Sequence, residues 1–261
     1  SGYDHWLFVS STGGLTCGRR DPEGALFPYC TDDKIHDACE TTGPVTTLLV
    51  ARGDRCLLWH PFGTGPLVYN LERNLYKNVP GNKLIFEEVN HDLDLVFSYT
   101  WASGNRFGFI RKSRLTNTGK NEVQVELLDG LRNLLPCGVD RGAQAELSTL
   151  VDGYKQAEAV PGATAGIYTL SSILTDRAEP NEALKSTVAW STGLDQARLL
   201  LSEDLVQAFR TGEAVQPEQF AKGKRGAFLV QSTLALAPGA GHSWFVVADG
   251  GQGPSQVADL L

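Results

Sequence analysis

Hydrophobic and polar positions alternate with a period of two through most of the chain. Leu93, Leu95, Phe97, Tyr99 and Trp101 fall on one side of the pattern, while Asp94, Ser98 and Thr100 fall on the other. Such alternation predicts a strand with one buried face. The same reading predicts strands at 6–10, 15–19, 45–51, 55–59, 67–76, 83–90, 106–117 and 122–128, then at 156–160, 167–174, 184–191, 198–201, 226–237 and 242–248. Pro80-Gly81-Asn82, Ser103-Gly104-Asn105 and Asn117-Thr118-Gly119 supply the fixed or positive φ angles that hairpin turns need. The period changes to a helical one only over 142–154, where Ala143, Leu147, Leu150, Val151 and Tyr154 recur with Asp140 placed as cap. A second short helix is expected after Ser202, whose hydroxyl would cap it ahead of Glu203 and Asp204.

So many strands with one or two short helices predict a mainly β fold, a large two-sheet antiparallel supersandwich. Uneven loops and the inserted helix argue against an up-and-down barrel. Residues 1–252 are read as this single β domain. Residues 253–261 open a further helix, with Ser255 as cap and Val257, Leu260 and Leu261 on one side; they are read as a linker toward a C-terminal domain outside this sequence.

Composition narrows the partners. At 261 residues, 42% hydrophobic and 20% charged, the chain can bury a sizeable core. A net charge of -7 with only small basic groups, Arg19-Arg20 and Lys222-Gly223-Lys224-Arg225, excludes a nucleic-acid footprint. No segment is long and apolar enough for a membrane-spanning helix. Five cysteines without a Cys-x-x-Cys pair predict neither a disulfide framework nor a zinc ribbon, and fit a cytoplasmic setting.

Nucleotide-binding, serine-hydrolase and zinc-protease motifs are all absent. Three polar groups remain to be weighed. Asp32-Asp33-Lys34-Ile35-His36-Asp37 matches no metal-loop spacing and is read as a solvated loop. Asn90-His91-Asp92 is read as a turn with a structural histidine, although His91 is the histidine available to an autonomous sugar epimerase. The pairs Glu87/Glu88 and Glu126/Asp129 are read as solvent-face acids. No catalytic residue, metal or cofactor is assigned.

Sugar binding asks for an aromatic face beside planar polar groups. Trp59 and His60, ending a strand before a Gly-containing loop, meet that requirement. Trp101, Trp190 and Trp244 are expected in the core. Thr12, Gly13 and Gly14 form either an ordinary hairpin turn or a loop that can approach another surface, in which case Arg19, Arg20 and Asp21 follow as a clamp for a carboxylate, a phosphate or a neighbouring domain.

Thr12-Gly13-Gly14, Arg19-Arg20-Asp21, the stretch 111–119 running into 123–130, and the closing 242–249 resemble the N-terminal β-supersandwich of glycoside phosphorylases and hydrolases of the cellobiose phosphorylase and cyclic β-1,2-glucan synthase type. That fold is similar to galactose mutarotase. The resemblance implies a non-catalytic domain packed on an (α/α)6 barrel that supplies the general acid. It further implies that the domain aids homodimerisation and lends the Thr12–Gly14 loop to the sugar site. Carbohydrate and the catalytic barrel are therefore the expected partners.

Overall fold

The computed structural model describes residues 4–30, 34–104, 106–172 and 185–260. Its strands run β1 His5–Val9, β2 Leu15–Arg19, β3 Gly43–Arg52, β4 Arg55–Trp59, β5 Leu71–Lys77, β6 Leu84–Asn90, β7 Leu95–Gly104, β8 Gly108–Asn117 and β9 Val123–Leu134. They continue as β10 Lys155–Ala159, β11 Ala165–Leu170, β12 Ser186–Thr192, β13 Arg198–Leu200, β14 Phe220–Lys222, β15 Gly226–Leu236 and β16 Gly241–Gln252. Among the described residues there are five short helices: α1 Lys34–Asp37, α2 Arg141–Glu146, α3 Ser148–Tyr154, α4 Val206–Arg210 and α5 Pro254–Leu260.

Two antiparallel sheets face each other. The larger has nine strands in the order β14-β10-β11-β12-β16-β8-β7-β6-β5, and the smaller has five in the order β13-β15-β9-β3-β4. The predicted supersandwich is the observed architecture. Residues of one parity on each strand fill the space between the sheets, with Phe97, Trp101, Leu127, Phe228 and Trp244 all at 2% exposure or less. Burying side chains of that size contributes about 1.5–3 kcal/mol each. Close approach of β9 to β15 depends on Gly130, because a Cβ there would lie 1.9 Å from the Phe228 carbonyl oxygen.

The outer face of the smaller sheet is closed by α4, whose Val206 and Phe209 pack on Val45, Leu49, Leu128 and Leu229. The β1–β2 hairpin forms a separate two-stranded sheet. Its Arg19 is tied to Asp249 of β16 by two bonds, Nε to Oδ1 at 2.8 Å and Nη2 to Oδ2 at 2.7 Å.

Several boundaries differ from the sequence expectation. The strand predicted from 67 starts at Leu71; Leu67 and Val68 are exposed after the Gly65-Pro66 corner, and β14 had no alternating signal. The helix predicted over 142–154 is broken at Leu147 into α2 and α3. Only Val151 of its apolar stripe is fully buried, while Leu147 and Leu150 stay half exposed, so little packing holds one continuous helix. Asp140 caps α2 as expected, accepting from the Ala143 N–H at 2.7 Å. Ser202 does not cap α4; its hydroxyl donates to Glu218 Oε1 at 2.8 Å, and the helix starts at Val206. Ser255 lies inside α5, where the Gln256 carboxamide oxygen accepts from the Gly253 N–H instead. Asp32 and Asp33, the ends of two predicted strands at 173–174 and 184, Asn105 and Leu261 lie outside the described residues.

Candidate functional site

A small cleft opens where the start of β3, the end of β4 and the Ser10–Gly14 turn meet β7 and β8. Its lining includes Thr12, Gly13, Glu40, His60, Phe62, Tyr99, Arg111 and Arg132, and its cavity volume is about 30 Å³. The turn is held by the Ser10 N–H bonding the Gly14 carbonyl at 2.8 Å, and Gly13 takes φ +89°. Gly14 sits so close to the Ile35 carbonyl that a Cβ would be 1.9 Å from its oxygen. Glycine at this position is therefore a requirement of packing.

The floor is ionic. Arg111 and Asp129 are both fully buried and paired at 2.8 Å. Asp129 also accepts from Thr46 Oγ1 at 2.5 Å, Trp244 Nε1 at 2.6 Å and Ser113 Oγ at 3.3 Å. The Arg111 guanidinium lies over the Tyr99 ring at 4.6 Å. Its Nε–H, like that of Arg132, is buried and has no hydrogen-bond partner among the described residues. Arg132 reaches across the rim, donating to the Glu40 and Cys39 carbonyls at 2.5 and 2.9 Å.

Several titratable groups beside the cleft are perturbed. Burial, then repulsion from Arg210 and Arg132, lowers the His60 pKa to about 4, so the imidazole is neutral at pH 7. Its Nδ1 lies 3.2 Å from the Thr47 hydroxyl. The Glu40 carboxyl is held below its usual range, chiefly by the Thr64 hydroxyl that donates to it, with Arg132 and His60 adding to this. Burial raises Glu203, against the pull of Arg132. A cluster of shifted groups at a cavity marks a functional-site candidate.

The eight residues singled out in the sequence separate into three places. Thr12, Gly13 and His60 line this cleft, with Gly14 just behind it. Trp59 is 1% exposed and gives its indole N–H to Glu88 at 2.8 Å, so neither ring face is open to a sugar. Arg19, Arg20 and Asp21 line a separate polar groove of about 660 Å³ with Asp4, Gln252 and Gln256. There the carboxylate clamped by Arg19 is the chain's own Asp249.

The acids read as solvent-facing divide as well. Glu88 is fully buried and, besides Trp59, accepts from the Phe62 N–H at 2.9 Å and Arg73 Nε at 2.6 Å. Asp129 is the hub described above. His91 stands half exposed in the β6–β7 turn, 3.7 Å from Glu72 and away from the cleft. Trp190, expected in the core, is only partly buried, on the outer face of the large sheet. Arg132 carried no motif, Arg111 entered only as the first residue of the resembling stretch 111–119, and Glu203 only as an acid in the first turn of an expected helix. Parity along β8 does, however, put Arg111 with the buried Phe109 and Leu115.

Neither a family profile nor a curated protein matches this sequence. Among solved structures, a polysaccharide lyase superposes with a TM-score of 0.50 at 12% identity, covering 98% of this chain and 33% of the lyase. A galactose mutarotase-like protein from Clostridium acetobutylicum gives 0.48 at 8% identity over 95% of this chain and 92% of that one. An aldose epimerase homologue from C. elegans gives 0.45 at 10% identity over 96% and 99%. The lyase likeness shows a shared β-sandwich fold, and this chain spans a third of that protein's length. The other two superpose too loosely to carry an argument. Among the described residues no helix is long and apolar enough to cross a membrane, and no His/Cys/Asp/Glu group has the arrangement of a metal site.

Proposed function

We propose that this chain is the β-supersandwich domain of a carbohydrate-active enzyme, supporting glycosidic-bond chemistry performed by another domain and offering its cleft to one edge of the sugar. The observation that carries this reading is the size of the cleft set against its lining. A cavity of about 30 Å³ has room for one water or one hydroxyl-bearing arm, not for a pyranose ring. Its walls nevertheless offer two unpaired guanidinium N–H groups, a neutral imidazole, a carboxylate and the rings of Phe62 and Tyr99. Mixed donors, acceptors and aromatic surface are what sugar hydroxyls and C–H faces require.

Such a cleft grips a fragment whose remainder is held from outside. On this reading Thr12–Gly14 is the lent loop, residues 253–261 lead toward the catalytic domain, and the parent enzyme is a glycoside phosphorylase or hydrolase that dimerises through its β domain. The fold shared with a polysaccharide lyase supports the same broad class of parent.

The test is direct. The chain incubated with cellobiose or β-1,2-glucan, with and without phosphate, should release no product. In nitrogen-15 NMR, millimolar sugar should shift the Gly13 and Gly14 amides and the Arg111 and Arg132 Nε–H signals. Product release, or sugar addition that leaves those signals unmoved, overturns the proposal. A second reading, autonomous epimerisation at the anomeric carbon, draws on His60, whose neutral imidazole can accept a proton beside Glu40. Polarimetry decides between them: anomer interconversion accelerated by the chain and lost in His60→Ala favours the epimerase.

A further inference from the structure

The nine-stranded sheet has two faces, and only one of them packs on the smaller sheet. Strand register lays out the other. One row across it reads Ser243, Arg114, Ser98, Glu87 and Asn74 on β16, β8, β7, β6 and β5. The next reads Phe245, Lys112, Thr100, Ile85 and Tyr76 on the same strands. Both rows cross four strand spacings of about 4.8 Å, roughly 19 Å in all. Small Ser98 and Thr100 sit half-buried in the middle, while Lys112, Arg114 and Tyr76 stand exposed around them.

The aromatic rings lie toward the two ends. Tyr76, 49% exposed, gives its hydroxyl hydrogen to Glu87 at 3.1 Å. At the other end Phe245 lies under the Lys112 ammonium at 5.8 Å, and Trp190, in the row beyond, meets Phe107 edge-on at 6.2 Å. Arg106 stacks over Phe107 at 5.1 Å. Two exposed cations, Lys112 and Arg114, thus stand in adjacent rows of this face, with Arg106 beyond them in the β7–β8 turn and Glu87 the one acid in the two rows, in a chain whose net charge is -7.

We propose that this face binds an extended acidic polysaccharide, its rings lying on Tyr76 and Phe245 and its carboxylates or sulfates meeting Lys112, Arg114 and Arg106. Charge complementarity selects the occupant. The placement of polar groups favours a sugar chain over a protein, whose interfaces more often put apolar surface at the centre and polar groups at the rim. Here the middle of the two rows carries the Ser98 and Thr100 hydroxyls, with Ile85 beside Thr100, and the rings stand outside them. A flat hydroxyl-lined strip between aromatic stations suits a chain of sugar rings.

The face is separate from the cleft, so the two proposals fail independently. Isothermal titration of the chain with a tetragalacturonate, a heparin-derived tetrasaccharide and cellotetraose tests it. One of the two acidic ligands should bind at least tenfold more tightly than cellotetraose, more weakly as salt rises, and its identity names the anion as carboxylate or sulfate. The Lys112→Ser/Arg114→Ser variant should lose at least tenfold in that affinity with unchanged melting temperature because the two cations are exposed, and Phe245→Ala, a partly buried ring, should lose a similar factor in affinity when compared at a temperature where it is fully folded. Arg132→Ala in the cleft should leave it intact. Equal binding of cellotetraose, no binding of any ligand, loss of binding in Arg132→Ala, or sedimentation showing the face covered by a second copy of the chain each overturns the inference.

Discussion

His60 gives the sharpest test of the cleft. In the unfolded chain an imidazole titrates near 6.5, whereas burial and two nearby guanidinium groups bring His60 to about 4 in the fold. The unfolded state therefore takes up its proton first as pH falls, so acid removes stability. The contribution is fully present above pH 7 and disappears between about 6.5 and 4. Linkage puts the loss at roughly 2 kcal/mol by pH 5 and about 3 kcal/mol by pH 4. Urea unfolding of wild type and His60→Asn at pH 7, 6, 5 and 4 isolates this term, since every other titrating group is common to both. The gap between the two proteins should shrink by about those amounts toward pH 4. Parallel curves would show that His60 titrates normally and that the cleft neither buries nor repels it; an NMR titration placing the imidazole above pH 6 would say the same.

Three further perturbations address the supports of the site. Asp129→Asn leaves the Arg111 charge buried with no counter-ion, and should cost about 3–5 kcal/mol in urea unfolding; the joint replacement Arg111→Met/Asp129→Leu should cost much less while abolishing sugar-induced NMR shifts at Gly13. Trp59→Phe removes the donor 2.8 Å from buried Glu88 and should lower stability by about 1.5–3 kcal/mol, a loss under 0.5 kcal/mol contradicting the assigned bond. Gly14→Ala forces a methyl against the Ile35 carbonyl, so amide exchange at residues 35–40 should accelerate at a cost of about 1–3 kcal/mol, and protection equal to wild type would refute the close packing.

The architecture was legible because period two was enforced by burial. On β7 Leu95, Phe97, Tyr99 and Trp101 all face inward, as alternation requires. The chemistry was harder to read, for the same reason turned round. Glu88 and Asp129 share the parity of Phe86 and of Leu127, which places them between the sheets. An acid is assigned to solvent by habit, because an isolated buried charge is expensive. Their partners lie far away in sequence: Trp59 is 29 residues from Glu88, and Trp244 is 115 from Asp129. No local motif records such pairings. Trp190 escaped for the converse reason, since both faces of a central strand can read as apolar while only one is covered.

A fully buried Arg111–Asp129 pair is not explained by stability, because a well-packed apolar pair in the same space is commonly as stable or more so. Its partners point to another role. Thr46 comes from β3 and Asp129 from β9 in the smaller sheet, while Arg111, Ser113 and Trp244 come from β8 and β16 in the larger. Three of the four bonds converging on this carboxylate cross between the sheets and fix their offset at the mouth of the sandwich. They also fix Arg111 against Tyr99 with one N–H left over beneath the cleft. Apolar side chains would close the same gap with no preference among neighbouring offsets and no donor to spare. The desolvation cost of the pair therefore goes into one fixed offset of the sheets and a positioned guanidinium, and it is that guanidinium on which the proposed sugar contact at the cleft depends.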